Sequence, residues 1–162
     1  KQGKTDEATQ ELLEGINVIT LGEGLLTTSG PNRLWRLGLI LASRLYRSGK
    51  QQEARVTAQR AHGLATRIGN NHARGRLSAL LAQLSEADGD RASALRHRSN
   101  AIDAMRTLGD RRSTAELLIA TANCQTNVDN FSKSTDAGSA LKLAYKLAIE
   151  IGWDEGVAMC TI

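Results

Sequence analysis

Apolar residues recur every three or four positions along almost the whole chain, which is the spacing that places them on one face of an α-helix. Leu34, Leu37, Leu41 and Leu45 form one such stripe, and Ser48 with Gly49 ends it. This pattern predicts an all-α protein. The predicted helices span residues 5–28, 31–47, 51–68, 71–87, 91–108, 111–128 and 135–151, and residues 153–162 begin a further helix.

Glycines divide these stripes at a nearly constant interval. Gly30, Gly69, Gly109 and Gly152 are separated by 39, 40 and 43 residues, and such a period indicates a repeat architecture. Alanines hold fixed offsets from the last three glycines. Fifteen residues before them stand Ala54, Ala94 and Ala137, and eight residues before them stand Ala61, Ala101 and Ala144. The shared register predicts a stack of two-helix units in which each glycine ends a helix.

Two further columns fall in the first helix of each unit, one of leucines and one of alanines. They comprise Leu37, Leu77 and Leu117, and, five residues later, Ala42, Ala82 and Ala122. We expect the small residue where a neighbouring helix approaches closely. Between the helices, Asp88 and Asp90 flank a turn, and either could cap the following helix. Residues 130–133 lengthen the last loop, which accounts for the period of 43.

Composition narrows the protein class without identifying a ligand. The 162 residues are 41% hydrophobic and only 3% aromatic, which suits a single domain with a core of close-packed aliphatic helices. The formal net charge of +4 is modest, and acidic residues are mixed among the basic ones, so charge alone does not indicate nucleic-acid binding. Cys124 and Cys160 are separated by almost a whole repeat, with no C-x-x-C pair and no histidine at metal-ligand spacing, so we expect two thiols in a reducing, cytoplasmic compartment. No membrane span or signal peptide is predicted, and we interpret the chain as a piece of a longer protein.

The repeat pattern resembles the tetratricopeptide repeat (TPR) family. Two stretches carry the resemblance: Leu41-Ala42, Gly49, Ala54 and Ala61 in one unit, and Leu81-Ala82, Gly89, Ala94 and Ala101 in the next. The third unit keeps the alanines Ala122, Ala137 and Ala144 but has Asp129 in place of the turn glycine. The interval near forty residues is similar to the longer-helix variety of the family.

The resemblance implies a right-handed α-solenoid of antiparallel helix hairpins over residues 1–162. The predicted units are a half repeat at 5–30 with Gly15 and Gly22 at the small sites, full repeats at 31–69, 70–109 and 110–152, and the start of a further helix at 153–162.

For function, the resemblance implies a non-catalytic interaction or sensor module that binds a peptide or protein in a concave groove, as part of a larger regulatory protein. The Arg-, Ala- and Leu-rich composition favours a bacterial source. The residues predicted to face the groove are Arg36, Ser43, Tyr46, Arg47, Arg76, Gln83, Glu86, Asn123, Thr126 and Asn127. Gln83 and Asn123 are the better candidates because a side-chain amide can both donate to and accept from a peptide backbone. Arg36 and Arg76 could bind ligand carboxylates. The alternative is that these positions are simply solvated.

Two other function classes stay open. The basic run of one predicted hairpin could bind nucleic acid, although few aromatic residues are available for base stacking. The run comprises Arg91, Arg96, His97, Arg98, Arg106, Arg111 and Arg112. Unfinished repeat faces at the two ends of the chain could instead mediate end-to-end homo-oligomers.

Arg98 is a charged residue at a repeat position that is apolar in the neighbouring units, where Ala58 and Leu141 stand. Its guanidinium must either extend to solvent or find an acidic partner, and an interface contact is a further alternative. His62, His72 and His97 lie far apart in register, which argues against a metal site, and we expect Cys124 to be a packing residue. Neither a catalytic triad nor a phosphate-binding glycine loop is present, so we expect no enzyme activity and no cofactor.

Overall fold

The computed structural model describes residues 30–126 and 135–161, and within them it forms seven helices and no strand. The helices are α1 (Gly30–Arg47), α2 (Gln51–Arg67), α3 (Asn71–Ala87), α4 (Arg91–Thr107), α5 (Arg111–Thr126), α6 (Thr135–Glu150) and α7 (Asp154–Met159). The all-α prediction is therefore confirmed for the described residues, and the predicted bounds of α1 to α4 and α6 hold to within one residue. The predicted helix at 5–28, Gly15, Gly22 and the loop at 130–133 lie outside the described residues.

Three of the four regularly spaced glycines follow the ends of helices, as their spacing predicted. Gly69, Gly109 and Gly152 all have φ between +65° and +69°, a left-handed conformation that glycine adopts without steric cost. The next residue then donates its N–H back into the helix, as from Asn70 to the Ala65 carbonyl at 3.0 Å. Gly30 differs, because it is the first residue of α1.

Three of the helices are capped at their N-termini by a side chain. Asn70, Asp90 and Asp110 accept from the backbone N–H groups of Ala73, Ser93 and Ser113 at 2.9 to 3.0 Å. These bonds satisfy donors that the first turn of a helix leaves without a partner. The two aspartates around the α3–α4 turn thus have different roles, since Asp90 caps α4 while Asp88 pairs with Arg55 of α2.

Consecutive helices pack against each other, and α1 also contacts α3, as α5 contacts α7. The predicted small residues lie at these contacts. Ala42, Ala82 and Ala122 are buried, as are Ala54, Ala94, Ala137, Ala61, Ala101 and Ala144. At Gly75 of α3, a Cβ atom would lie only 3.1 Å from the Ala104 Cβ of α4, so the two helices approach too closely there for a larger residue.

The prediction that Leu37 belongs to the buried stripe of α1 is wrong. Leu77 is fully buried, but Leu37 is 40% exposed because Trp35 takes the interior position in α1. Trp35 packs with Ala61, Ala65 and Leu77, and Leu37 lies two residues further on, about 200° around the helix axis. The buried side of α1 therefore runs through Trp35, Leu41 and Leu45.

Candidate partner-binding face

Most of the residues predicted to contact a partner lie on α1, α3 and α5. On α1, Arg36 and Arg47 are exposed, whereas Ser43 and Tyr46 are partly buried. The Ser43 hydroxyl donates to the Leu39 carbonyl at 2.8 Å, and Tyr46 packs against the core around Leu41 and Leu45. The arginines of α1 are thus more open to a partner than its other two candidates.

On α3 and α5, the two amide side chains are exposed. Gln83 lies on α3 and Asn123 on α5, each directly after a buried alanine, Ala82 or Ala122. Arg76 is also exposed, and Glu86 is partly buried. Thr126 is the last residue of α5. The side chain of Thr126 and the whole of Asn127 lie outside the described part of the chain.

These positions form matched rows. Arg36 and Arg76 are forty residues apart at equivalent positions of α1 and α3, and Ser43, Gln83 and Asn123 form a second row seven residues later. Seven residues correspond to about 10 Å along a helix. We call the surface that carries both rows, together with Glu86, the α1/α3/α5 face.

Glu86 links this face to the protein interior. Its carboxylate forms an ion pair with Arg98, which projects from α4 and is only 4% exposed. Burial would raise the pKa of Glu86, but hydrogen bonds from Arg98 and Cys124 and the positive charge of Arg98 hold that pKa below its usual value. Arg98 has therefore found an acidic partner and does not extend to solvent.

The side chain of Arg98, on α4, lies near residues of both α3 and α5. Cys124 of α5 is buried, and its thiol contributes to lowering the pKa of Glu86 and to raising the pKa of Arg98. The Arg98 Nη1 atom is enclosed and makes no hydrogen bond to a described residue. A buried arginine with one unused donor nitrogen is costly, which makes its bond to Glu86 important for stability.

Arg36 and His72 pack against Trp35, a pair of contacts that sequence reasoning missed. The guanidinium carbon of Arg36 lies 5.5 Å from the Trp35 ring centroid, and the His72 ring packs edge-on against the same indole at 5.8 Å. Arg76 and His72 also act on Asp110. Burial would raise the pKa of Asp110, but its hydrogen bonds from Ser113 and the charges of His72 and Arg76 lower it. We call Arg36, Trp35 and His72 the Trp35 cluster. The sequence signal for it was a tryptophan directly before Arg36, one of the arginines predicted to face the groove.

Two of the three histidines, His62 and His97, influence each other electrostatically. His62 of α2 lies 3.1 Å from the Ser78 hydroxyl of α3, and its charge contributes to lowering the pKa of His97 on α4. Burial is the main cause of the lowered pKa at both His62 and His97. Across the described ranges, no three His, Cys, Asp or Glu side chains are grouped so that they could hold a metal ion.

The basic run of residues 91–112 is divided between the protein interior and the exposed sides of two helices. Arg98 is buried, while Arg96 and Arg106 are exposed on α4. Arg111 pairs with Glu150 at 3.3 Å, and Arg112 pairs with Glu116 at 3.2 Å. The positive charges of this run are therefore distributed over separate helices, and three of them are matched by carboxylates.

A polar cleft of about 300 Å³ lies between α3 and α4. Its lining residues are Asn71, Arg74, Asn100, Asp103, Ala104 and Thr107. The Arg74 guanidinium donates to the Asn71 side chain at 3.1 Å, so part of the lining is already hydrogen-bonded.

Of the helices in the described ranges, none combines enough length with enough apolar character to cross a lipid bilayer. Neither the protein-family models nor the curated proteins include a match to this chain.

Proposed function

We propose that this protein is a non-catalytic helical-repeat module of the TPR type, and that its α1/α3/α5 face binds an extended segment of a partner protein. In this proposal the hairpins stack as a right-handed α-solenoid, and the three helices line its concave side. The contact between α1 and α3 and the buried alanine columns support such stacking.

The observation that carries the proposal is the exposure of Gln83 and Asn123 at equivalent positions. Each amide follows a buried alanine, so both project from the same side of their helices. A side-chain amide offers a donor and an acceptor together, which matches the alternating groups of an extended backbone. Repeated amides on adjacent helices would hold a backbone without requiring one particular sequence.

The experiment is selection of peptides from a displayed random library on the immobilised full chain. Binders are then measured against the double variant Gln83→Ala/Asn123→Ala. The matched control is Gln59→Ala/Asn100→Ala, which removes the same two amide types from exposed positions on α2 and α4. The proposal expects loss of binding in the first variant only; equal binding by both variants contradicts it.

Self-association is a second candidate function, favoured by exposed apolar residues on the first and last long helices described. Ile40 of α1 is 51% exposed, and Ile149 of α6 is 54% exposed. Sedimentation of Ile40→Glu/Ile149→Glu tests this candidate, with Leu108→Glu as a control at a similarly exposed site between them. If the wild-type chain sediments as a monomer, the candidate fails.

A further inference from the structure

We infer that the cleft between α3 and α4 binds a free α-amino acid with a small polar side chain, whose carboxylate contacts Arg74 and whose ammonium group contacts Asp103. The cleft has a volume of about 300 Å³, at the small end of the range of roughly 300–1,000 Å³ that is usual for ligand pockets, so it suits a small molecule. None of its lining residues belongs to the α1/α3/α5 face, so this site does not depend on the proposed function.

Both helices of the hairpin contribute a wall to the cleft. The wall on α4 follows the spacing i, i+3, i+4 and i+7, which places side chains on one face of a helix. This wall consists of Asn100, Asp103, Ala104 and Thr107. Asn71 and Arg74, three residues apart at the start of α3, form the other wall. A ligand in the cleft would therefore contact both helices.

A small residue lines the cleft at a repeat position that holds leucine in the neighbouring hairpins. Ala104 stands where Leu64 stands forty residues earlier and Leu147 stands forty-three residues later. Leu64 is buried, and Leu147 packs against the core. These leucines fill space between their helices, whereas the Ala104 methyl group borders an open cleft beside Arg74.

The two charged residues of the cleft have opposite charges and do not pair with each other. Arg74 and Asp103 are both exposed, and the ion pairs of the described residues involve other side chains. The Arg74 Nη1 atom donates to the Asn71 Oδ1 atom at 3.1 Å, which leaves the other N–H donors of the guanidinium available. The Thr107 hydroxyl donates to the backbone carbonyl of Asp103 at 2.8 Å, so it does not occupy the Asp103 carboxylate.

Opposite charges on the two walls favour a ligand that carries both. A guanidinium donates to a carboxylate, and an ammonium group donates to a carboxylate in the same charge-assisted manner. Asp103 would repel a purely anionic ligand, and Arg74 would repel a purely cationic one. A free α-amino acid carries the two complementary groups on one carbon atom. The side-chain amides of Asn71 and Asn100 supply further donors and acceptors, which favour a polar ligand side chain over an aliphatic one.

The test is isothermal titration calorimetry of the full chain with L-serine, its methyl ester, N-acetyl-L-serine, L-leucine, inorganic phosphate and putrescine. Serine is expected to bind most tightly, because the ester lacks the carboxylate charge and the N-acetyl derivative lacks the ammonium charge. Loss of one charge-assisted hydrogen-bonding pair predicts about a tenfold weaker affinity for serine in Arg74→Gln and in Asp103→Asn. Arg74→Gln should not weaken binding of the ester further, and Asp103→Asn should not weaken binding of N-acetylserine further, because the group that each side chain would contact is absent.

Arg60→Gln and Asp154→Asn are the matched controls, because they remove the same charges from exposed positions on α2 and α7. Equal weakening of serine binding by the controls and by the cleft variants overturns the inference. So does tighter binding of leucine, phosphate or putrescine than of serine. Absence of serine binding at millimolar concentration overturns it as well.

Discussion

Arg98 of α4 and Glu86 of α3 form an ion pair across the helix hairpin, and the arginine end of that pair is buried. Ala58 and Leu141 occupy the equivalent positions of the neighbouring units, so an apolar residue suits this position in the repeat. Removing Glu86 leaves the buried charge of Arg98 without compensation, whereas replacing Arg98 by an apolar residue leaves only Glu86, whose side chain is 33% exposed to water.

We therefore expect Glu86→Ala to lower the free energy of unfolding by about 2 kcal/mol or more, because Arg98 then stays buried without its acceptor. Arg98→Leu is expected to cost less than Glu86→Ala or to stabilise the fold. Urea denaturation measures both changes. Glu116→Ala, which removes the exposed partner of Arg112, is the control and should change stability little. A larger loss for Arg98→Leu than for Glu86→Ala contradicts this prediction.

Substitution by alanine should change the stability of the protein in opposite directions at two glycines. One is Gly63, within α2, and the other is Gly69, in the turn that follows α2. Gly69 has φ of +66°, so Gly69→Ala is expected to destabilise by roughly 1–2 kcal/mol. Gly63 lies within the helix, and a Cβ there would meet nothing within 4 Å, so Gly63→Ala is expected to stabilise by about 0.5–1 kcal/mol. Thermal and urea unfolding of the two variants check this difference in sign. Destabilisation by both would mean that Gly63 has a role in packing.

The helices and turns could be predicted because their signals are local. Gly69 and Gly109 mark chain reversals by their own conformational freedom, and Ala82 and Ala122 mark close helix contacts by their size. Side-chain partners could not be predicted in the same way. Glu86 and Arg98 are twelve residues apart on different helices, and only the packing of α3 on α4 decides that they meet.

The same limit explains the error at α1 and the contact between histidine charges that the sequence did not indicate. Spacing alone allowed a stripe through Leu37, but the packing of Trp35 against α2 and Leu77 turned that leucine outward. His62 and His97 belong to different hairpins, and their proximity follows from how α2, α3 and α4 pack. The sequence thus predicted the helices, whereas the contacts around Trp35 became visible only in the structure.

The two histidines should make stability depend on pH below neutrality. Burial and the charge of Arg74 lower the pKa of His62, and burial, Arg96, His62 and Arg55 lower that of His97. As pH falls below the ordinary histidine value of 6.5, the unfolded chain binds protons first. The histidine contribution to stability is therefore complete above pH 6.5 and is lost as pH falls toward the lowered folded-state values.

Urea midpoints at pH 7.5, 6.5 and 5.5 measure this dependence. The wild-type midpoint should decrease over the series, and His62→Gln/His97→Gln should show a flatter profile, since glutamine does not titrate. Parallel profiles for the two proteins would assign the pH dependence to other groups.

Trp153 and Gly156 provide a test at the opposite end of the described chain. Arg112 of α5 lies over the Trp153 ring, 4.8 Å from its centroid, and a Cβ at Gly156 would collide with atoms of the same ring. Gly156→Ala must therefore displace the indole, and overpacking of this kind costs about 1–3 kcal/mol. In a Trp35→Phe background the emission of Trp153 should shift to longer wavelength as the ring becomes more exposed. Gly138→Ala in α6, where a Cβ meets nothing within 4 Å, should leave that emission unchanged and raise stability by about 0.5–1 kcal/mol. An unshifted spectrum with unchanged stability in Gly156→Ala would show that α7 accommodates the methyl group without moving Trp153.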